Sequence, residues 1–328
     1  MKMISFELQD YWDYELLDEN SPFLKGSAAS CIDQKNSMLF VFGGITNKFT
    51  PTSELVVFDI STSKICKNTI LPVTPRINHE MYFYDNKLYI VGGLSYTQFG
   101  STKVFDEILI YDLENDEIEK IDAPNIKFRS SSVLSIEDKK IYYYGGLNCD
   151  PQLLNVFDIT TKTCDTFILD ENIVFKTGST SICIKTDKVL CFSGFTQNDY
   201  PICHSEYLLM DLKNMKFISK KCNEFVGRTF SKAVYIEKYK KVFFMLGTYN
   251  GMEVCRSIIY YDIEKNEFND LFVQGLPFDL NESVVFYCSS KNRIFIYGGF
   301  SMNKIQPYKW SLDLNVLEKN PMYTEIFF

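Results

Sequence analysis

Six times along the chain an apolar run of four residues closes on glycine, at a spacing of about 50 residues. Three copies end in a glycine pair in the N-terminal half: Leu39-Phe40-Val41-Phe42-Gly43-Gly44, Leu88-Tyr89-Ile90-Val91-Gly92-Gly93 and Ile141-Tyr142-Tyr143-Tyr144-Gly145-Gly146. Val189-Leu190-Cys191-Phe192-Ser193-Gly194 and Val242-Phe243-Phe244-Met245-Leu246-Gly247 lose the first glycine, and Ile294-Phe295-Ile296-Tyr297-Gly298-Gly299 restores it. After each run comes a second, closing on Asp plus an aliphatic residue: Phe58-Asp59-Ile60, Tyr111-Asp112-Leu113, Phe157-Asp158-Ile159, Met210-Asp211-Leu212, Tyr261-Asp262-Ile263 and Leu312-Asp313-Leu314.

Runs this short, rich in Val, Ile, Tyr and Phe, predict strands. Polar turns such as Glu114-Asn115-Asp116-Glu117 and Glu264-Lys265-Asn266-Glu267 follow the second run and send the chain into a further strand. Each repeat therefore predicts four antiparallel strands, a to d, with glycine closing strand b where the backbone turns and neighbouring chains approach.

These residues resemble the kelch repeat across nearly the whole chain. That family opens strand a with a basic residue, closes strand b with Gly-Gly, and ends strand c with an aromatic residue and Asp. It commonly places Trp on strand d, where this chain has Ile65, Ile118, Cys164, Phe217 and Phe268. The resemblance implies an all-β, six-bladed kelch-type β-propeller of four antiparallel strands per blade, with residues 1–328 forming one domain.

A propeller must close its ring or leave strand edges unpaired. Leu16-Leu17-Asp18-Glu19-Asn20 matches Ile168-Leu169-Asp170-Glu171-Asn172, and this register puts Trp12 at the strand d position. The N-terminal segment is thus expected to supply the outer strand of the last blade. The rival for that place is the tail, Asn315 to Phe328.

Blade topology puts the b–c and d–a connections on one face. The opposite face carries short charged turns, such as Tyr84-Asp85-Asn86-Lys87, and is expected to be solvated. The b–c loops carry Phe49, Tyr96, Phe99, Tyr200 and Tyr249, aromatic residues suited to binding or to packing over the blades. Basic residues open strand a in five blades, Lys25, Arg76, Arg129, Lys176 and Arg228, with Asn281 in the sixth. Inner strands line the channel, so these five are expected to ring its mouth. They would be held there by carboxylates of the protein, by backbone carbonyls, or by a bound acidic segment.

Composition narrows the function. A net charge of −8 opposes general nucleic-acid binding. No apolar run approaches the ~20 residues that span a bilayer, and the first ten residues lack a signal-peptide pattern. Ten scattered cysteines, none in Cys-x-x-Cys pairs, point to reduced thiols and a cytoplasmic protein. Of the two histidines, His79 fits a packed position on strand a, and His204 beside Cys203 is too small a set for a metal.

Kelch-type enzymes set the alternative. Copper oxidases of this fold need two His with Tyr, which His79 and His204 do not offer, and the Glu-x-x-x-Asp-x-x-x-His run of the iron-dependent specifier proteins is absent. The reading is a non-catalytic protein–protein interaction module, an adaptor or scaffold. It needs no cofactor or metal, is monomeric by itself, and binds a protein or peptide, acidic in one version, on the b–c/d–a face. The alternative is an epimerase or lyase acting on an anionic sugar at the channel mouth.

Overall fold

The protein is described from a computed structural model, which covers residues 11–96, 102–127, 130–185, 188–196, 202–222, 225–249, 253–271, 273, 280–301, 304–320 and 323–327. Every repeat forms the expected sheet. Blade 1 has strands a to d at Ala29–Asp33, Met38–Phe42, Glu54–Asp59 and Lys64–Ile70, and blade 2 at Glu80–Tyr84, Lys87–Val91, Glu107–Asp112 and Ile118–Asp122. Blade 3 uses Ser131–Ser135, Lys140–Tyr144, Leu153–Asp158 and Thr163–Ile168; blade 4 uses Thr180–Lys185, Lys188–Phe192, Glu206–Asp211 and Lys216–Lys221. Blade 5 uses Lys232–Ile236, Lys241–Met245, Ile258–Asp262 and Glu267–Leu271. Strands a to c of blade 6 are Val284–Cys288, Arg293–Tyr297 and Tyr308–Asp313.

The fourth strand of blade 6 is Trp12–Leu16, antiparallel to strand c with Trp12 opposite Leu312 and Leu16 opposite Tyr308. The N-terminus closes the ring, as the Trp12 register implied. The tail instead folds into two short helices, Leu314–Glu318 and Thr324–Phe327, beyond the end of strand c. Leu314, Leu317, Tyr323 and Phe327 bury themselves in the same apolar cluster as Trp12, Leu312 and Tyr239.

Two repeated residues now have physical tasks. The aspartate ending strand c turns its carboxylate onto the next backbone N–H groups: Asp59 accepts from Ser61 and Thr62, Asp112 from Glu114 and Asn115, Asp158 from Thr160 and Thr161. It thereby satisfies the donors of the c–d turn. The second glycine after strand b lies at φ between 84° and 100° in every blade. A Cβ at Gly44, Gly93, Gly194, Gly247 or Gly299 would come within 2.9 Å of a carbonyl oxygen just before strand a. The first position lies in the left-handed helical region, which Ser193 at φ 58° and Leu246 at φ 62° also occupy, although a Cβ at Gly43, Gly145 or Gly298 would likewise meet a carbonyl oxygen at 2.5–2.7 Å. The backbone angle therefore separates the two positions: φ near 90° lies outside the left-handed region that other residues reach, and the second position is glycine in all six blades.

Strand a of five blades enters through another left-handed residue: Ser27, Asn78, Gly178, Phe230 and Glu282 take φ from 50° to 65°. Their backbones link around the axis, with Ser27 N–H donating to Glu282 O, Asn78 N–H to Ser27 O and Phe230 N–H to Gly178 O. Hydroxyls reinforce the girdle: Ser131 Oγ donates to Ser179 O at 2.9 Å, and Thr180 Oγ1 to Ser231 O at 2.8 Å.

Candidate functional site

The basic residues before strand a do not form an open ring. Lys25, Arg76 and Arg228 are buried at 1–3% exposure, and Lys176 is partly buried. Each reaches across its own blade to the first position of strand c or the residue just before it. Lys25 meets Glu54 at 2.6 Å, Arg76 meets Glu107 at 2.8 Å, and Lys176 meets Glu206 at 2.7 Å. Arg228 donates instead to the carbonyl and hydroxyl of Ser257, at 3.0 and 3.1 Å. None of these four lines the channel cavity. The sequence carried a sign of this: Glu54, Glu107 and Glu206 follow their basic partners by about thirty residues in three repeats.

Strand register also bears on the other two members. Lys25, Arg76, Lys176 and Arg228 each stand four residues before strand a, and the same count gives Lys127 in blade 3 and Leu280 in blade 6. Arg129 itself lies outside the described residues. The a–b turn has four residues in blade 3 and two in blade 2, so the distance from strand a to the glycine pair differs between repeats. Lys127 is half-buried, and strand c of its blade opens on Leu153, not on a carboxylate.

Arg76 has the tightest setting. Its guanidinium also donates to Gly92 O at 3.1 Å and lies 4.1 Å from the centre of the Phe105 ring. Burial lowers its pKa, opposed by Glu107. Burial would raise Glu107, but hydrogen bonds from Lys120 and Arg76 bring it below the usual carboxylate range.

Of the loop aromatics, Phe49 is 53% exposed. Tyr96 donates its hydroxyl to Phe49 O at 3.1 Å, tying the loops of blades 1 and 2 together. Tyr249 is half-buried, its ring centre 5.9 Å from the Arg228 guanidinium. Phe99 and Tyr200 lie outside the described residues.

Two-stranded ribbons stiffen four of the b–c connections. Ile45–Thr46 pairs with Lys25–Gly26, Leu94–Tyr96 with Thr102–Val104, Thr248–Tyr249 with Glu253–Val254, and Phe300–Ser301 with Lys304–Ile305. They belong to blades 1, 2, 5 and 6, neighbours in the ring. Over blade 4 two aliphatic side chains stand in water: Ile202 and Val226 are each 60% exposed. Gly227 sets the loop of Val226 against that of Ile202, since a Cβ there would lie 2.4 Å from His204 O, and its N–H donates to Ser205 Oγ at 2.9 Å. Lone aliphatics on loops gave the sequence no signal to follow.

His79 is 5% exposed and stands edge-on to Phe42 at 5.3 Å between ring centres. Burial, then the charge of Arg76, lowers its pKa to about 3. The folded protein therefore keeps the ring neutral, while the unfolded chain takes up a proton below about 6.5. Stability is expected to fall as pH drops from about 6.5 to about 3 and to stop falling on this account below that. Asp59 and Asp112, each held at about 2, yield only at stronger acid. Urea unfolding at several pH values should show that His79→Leu flattens the upper part of the curve. An unchanged slope would place the acid sensitivity elsewhere.

The register, the paired glycines and the capping aspartates agree with the comparisons. Residues 6–163 match the family model described as the KLHDC2/KLHL20/DRC7 Kelch-repeats domain. The chain folds as a six-bladed β-propeller, and the kelch-repeat match covers its N-terminal half. Among solved structures, this propeller is similar to the one titled "Structure of YjhT", with a TM-score of 0.68 and 16% identity over 88% of this chain and 95% of that one. At that identity the likeness speaks for the fold. No curated protein matches the sequence. Kelch-repeat domains are in general protein-interaction modules. No helix among the described residues is long and apolar enough to cross a membrane, and none of the ten cysteines forms a disulfide.

Proposed function

We propose that this propeller is a non-catalytic adaptor that takes a segment of a partner protein across the b–c/d–a face, over blade 4. The observation that carries the reading is the pair Ile202 and Val226, two branched aliphatics exposed on loops whose backbones meet where Gly227 packs on Cys203 and His204. Exposed apolar side chains on loops fixed to a rigid scaffold suit a binding centre. Phe49 and Val104, at 53% and 39% exposure, extend the apolar character to the loops of blades 1 and 2. Lys25, Arg76 and Lys176 are already neutralised by glutamates and Arg228 is buried, which weighs against an acidic segment as the partner. The favoured partner presents aliphatic or aromatic side chains.

Affinity capture from lysate with the full chain tests this. Ile202→Asp with Val226→Asp is expected to weaken retention of the captured protein at least about tenfold, the scale of a hot-spot loss. Asn115→Asp, in a c–d turn of the opposite face, should leave it unchanged. Equal retention by the two variants would refute the assignment to this face.

A further inference from the structure

The channel is lined by the first residues of the six inner strands, and its polar groups divide into two kinds. Most are spent on each other. Ser27 donates to Glu282, Ser131 and Ser179 share a hydrogen bond at 2.7 Å, Thr180 and Ser231 one at 2.6 Å, and Tyr82 and Ser132 one at 2.9 Å. Two charged groups are not. Glu80 and Lys232 make no ion pair with each other or with any described residue, and both line a cavity of about 190 Å³.

Their placement is specific. Glu80 opens strand a of blade 2 and Lys232 opens strand a of blade 5, so they stand on opposite blades at the same register. The other four blades put Ala29, Ser131, Thr180 and Val284 there, so this register contains one ammonium and one carboxylate; the Glu282 carboxylate also lines the cavity, held by the Ser27 hydroxyl. The charge of Lys232 is felt at both Glu80 and His79, which sets the three around one space. Ser30 and Asn78 add a hydroxyl and an amide on the Glu80 side, neither side chain bonded to a described residue.

A simple anion drawn to Lys232 meets repulsion from Glu80, and a simple cation drawn to Glu80 meets repulsion from Lys232. A molecule with opposite charges at its two ends neutralises both, and the walls of six inner strands admit only something small. We infer that the channel binds a small zwitterion, a free amino acid, with its carboxylate on Lys232 and its ammonium on Glu80. Ser30 and Asn78 then face the side chain and favour a polar one. This site lies inside the channel, at the end the d–a connections surround, and does not depend on a partner being bound over blade 4.

Isothermal titration of the full chain with L-serine, acetate and ethanolamine tests the inference without any variant. L-Serine should bind, with acetate and ethanolamine each at least about tenfold weaker, since each satisfies one charge and opposes the other. Lys232→Met and Glu80→Gln should each weaken L-serine binding by at least about tenfold while the melting temperature stays near that of the parent. Absence of L-serine binding up to about 10 mM, or acetate binding as tightly as L-serine, would overturn it. Retention of full affinity in both folded variants would do the same.

Discussion

Removing the residues through Leu17 should destroy the single cooperative unfolding transition, because it takes away strand d of blade 6 and reopens the ring. The strand contributes five paired residues, and Trp12 is 3% exposed in a cluster with Ile294, Ile296, Leu312 and Leu317. Trp12→Ala alone is expected to cost about 3–5 kcal/mol, the range for a buried aromatic side chain cut back to alanine. The full deletion also strips the ion pairs of Asp13 with Arg293 and of Glu15 with Lys309, and leaves the edge of strand c bare.

The chain provides its own reporter. It has two tryptophans, and both stand in the closing blade, Trp12 on strand d and Trp310 on strand c. Tyr14 covers Trp310 at 5.2 Å between ring centres. In the intact protein, fluorescence and far-ultraviolet circular dichroism should report one melting transition. In the deletion variant Trp310 should emit at longer wavelength before any heating, and the dichroism transition should broaden. Coincident sharp transitions at the parental temperature would show that the C-terminal helices hold the ring shut without this strand.

The fold was legible because the same local physics is written six times. A glycine forced to φ near 90°, an aspartate capping a turn, and a strand of large apolar residues each leave a mark that does not depend on tertiary detail. Repetition then fixes the register, and the register found Trp12. The site was less legible for a related reason. A residue's place in a repeat gives its position but not the direction of its side chain, and Arg76 and its equivalents turn along the blade instead of toward the axis. What marks the candidate surfaces is deviation from the repeat. Ile202 and Val226 belong to loops without a pattern, while Glu80 and Lys232 are single departures at a position filled elsewhere by small or apolar residues.

Replacing Glu107 by Leu should cost about 3–5 kcal/mol, since it leaves the Arg76 guanidinium buried without its counter-charge. Arg76→Met should cost less, because Glu107 keeps Lys120 at 2.5 Å, and that ammonium reaches water. The double variant, Arg76→Met with Glu107→Leu, should return to within about 1 kcal/mol of the parent, as buried ion pairs often do when replaced whole by apolar groups. The chain already contains a precedent. Blade 6 holds Leu280, 2% exposed, where the others hold a cation, and opens strand c on Tyr308 in place of the glutamate. A double-mutant cycle in urea measures all three costs. A Glu107→Leu variant within about 1 kcal/mol of the parent would mean that water reaches the guanidinium and that the pair is not sealed inside the blade. The same variants bear on binding: the folded double variant should capture the partner as the parent does, because neither side chain reaches the surface that Ile202 and Val226 present.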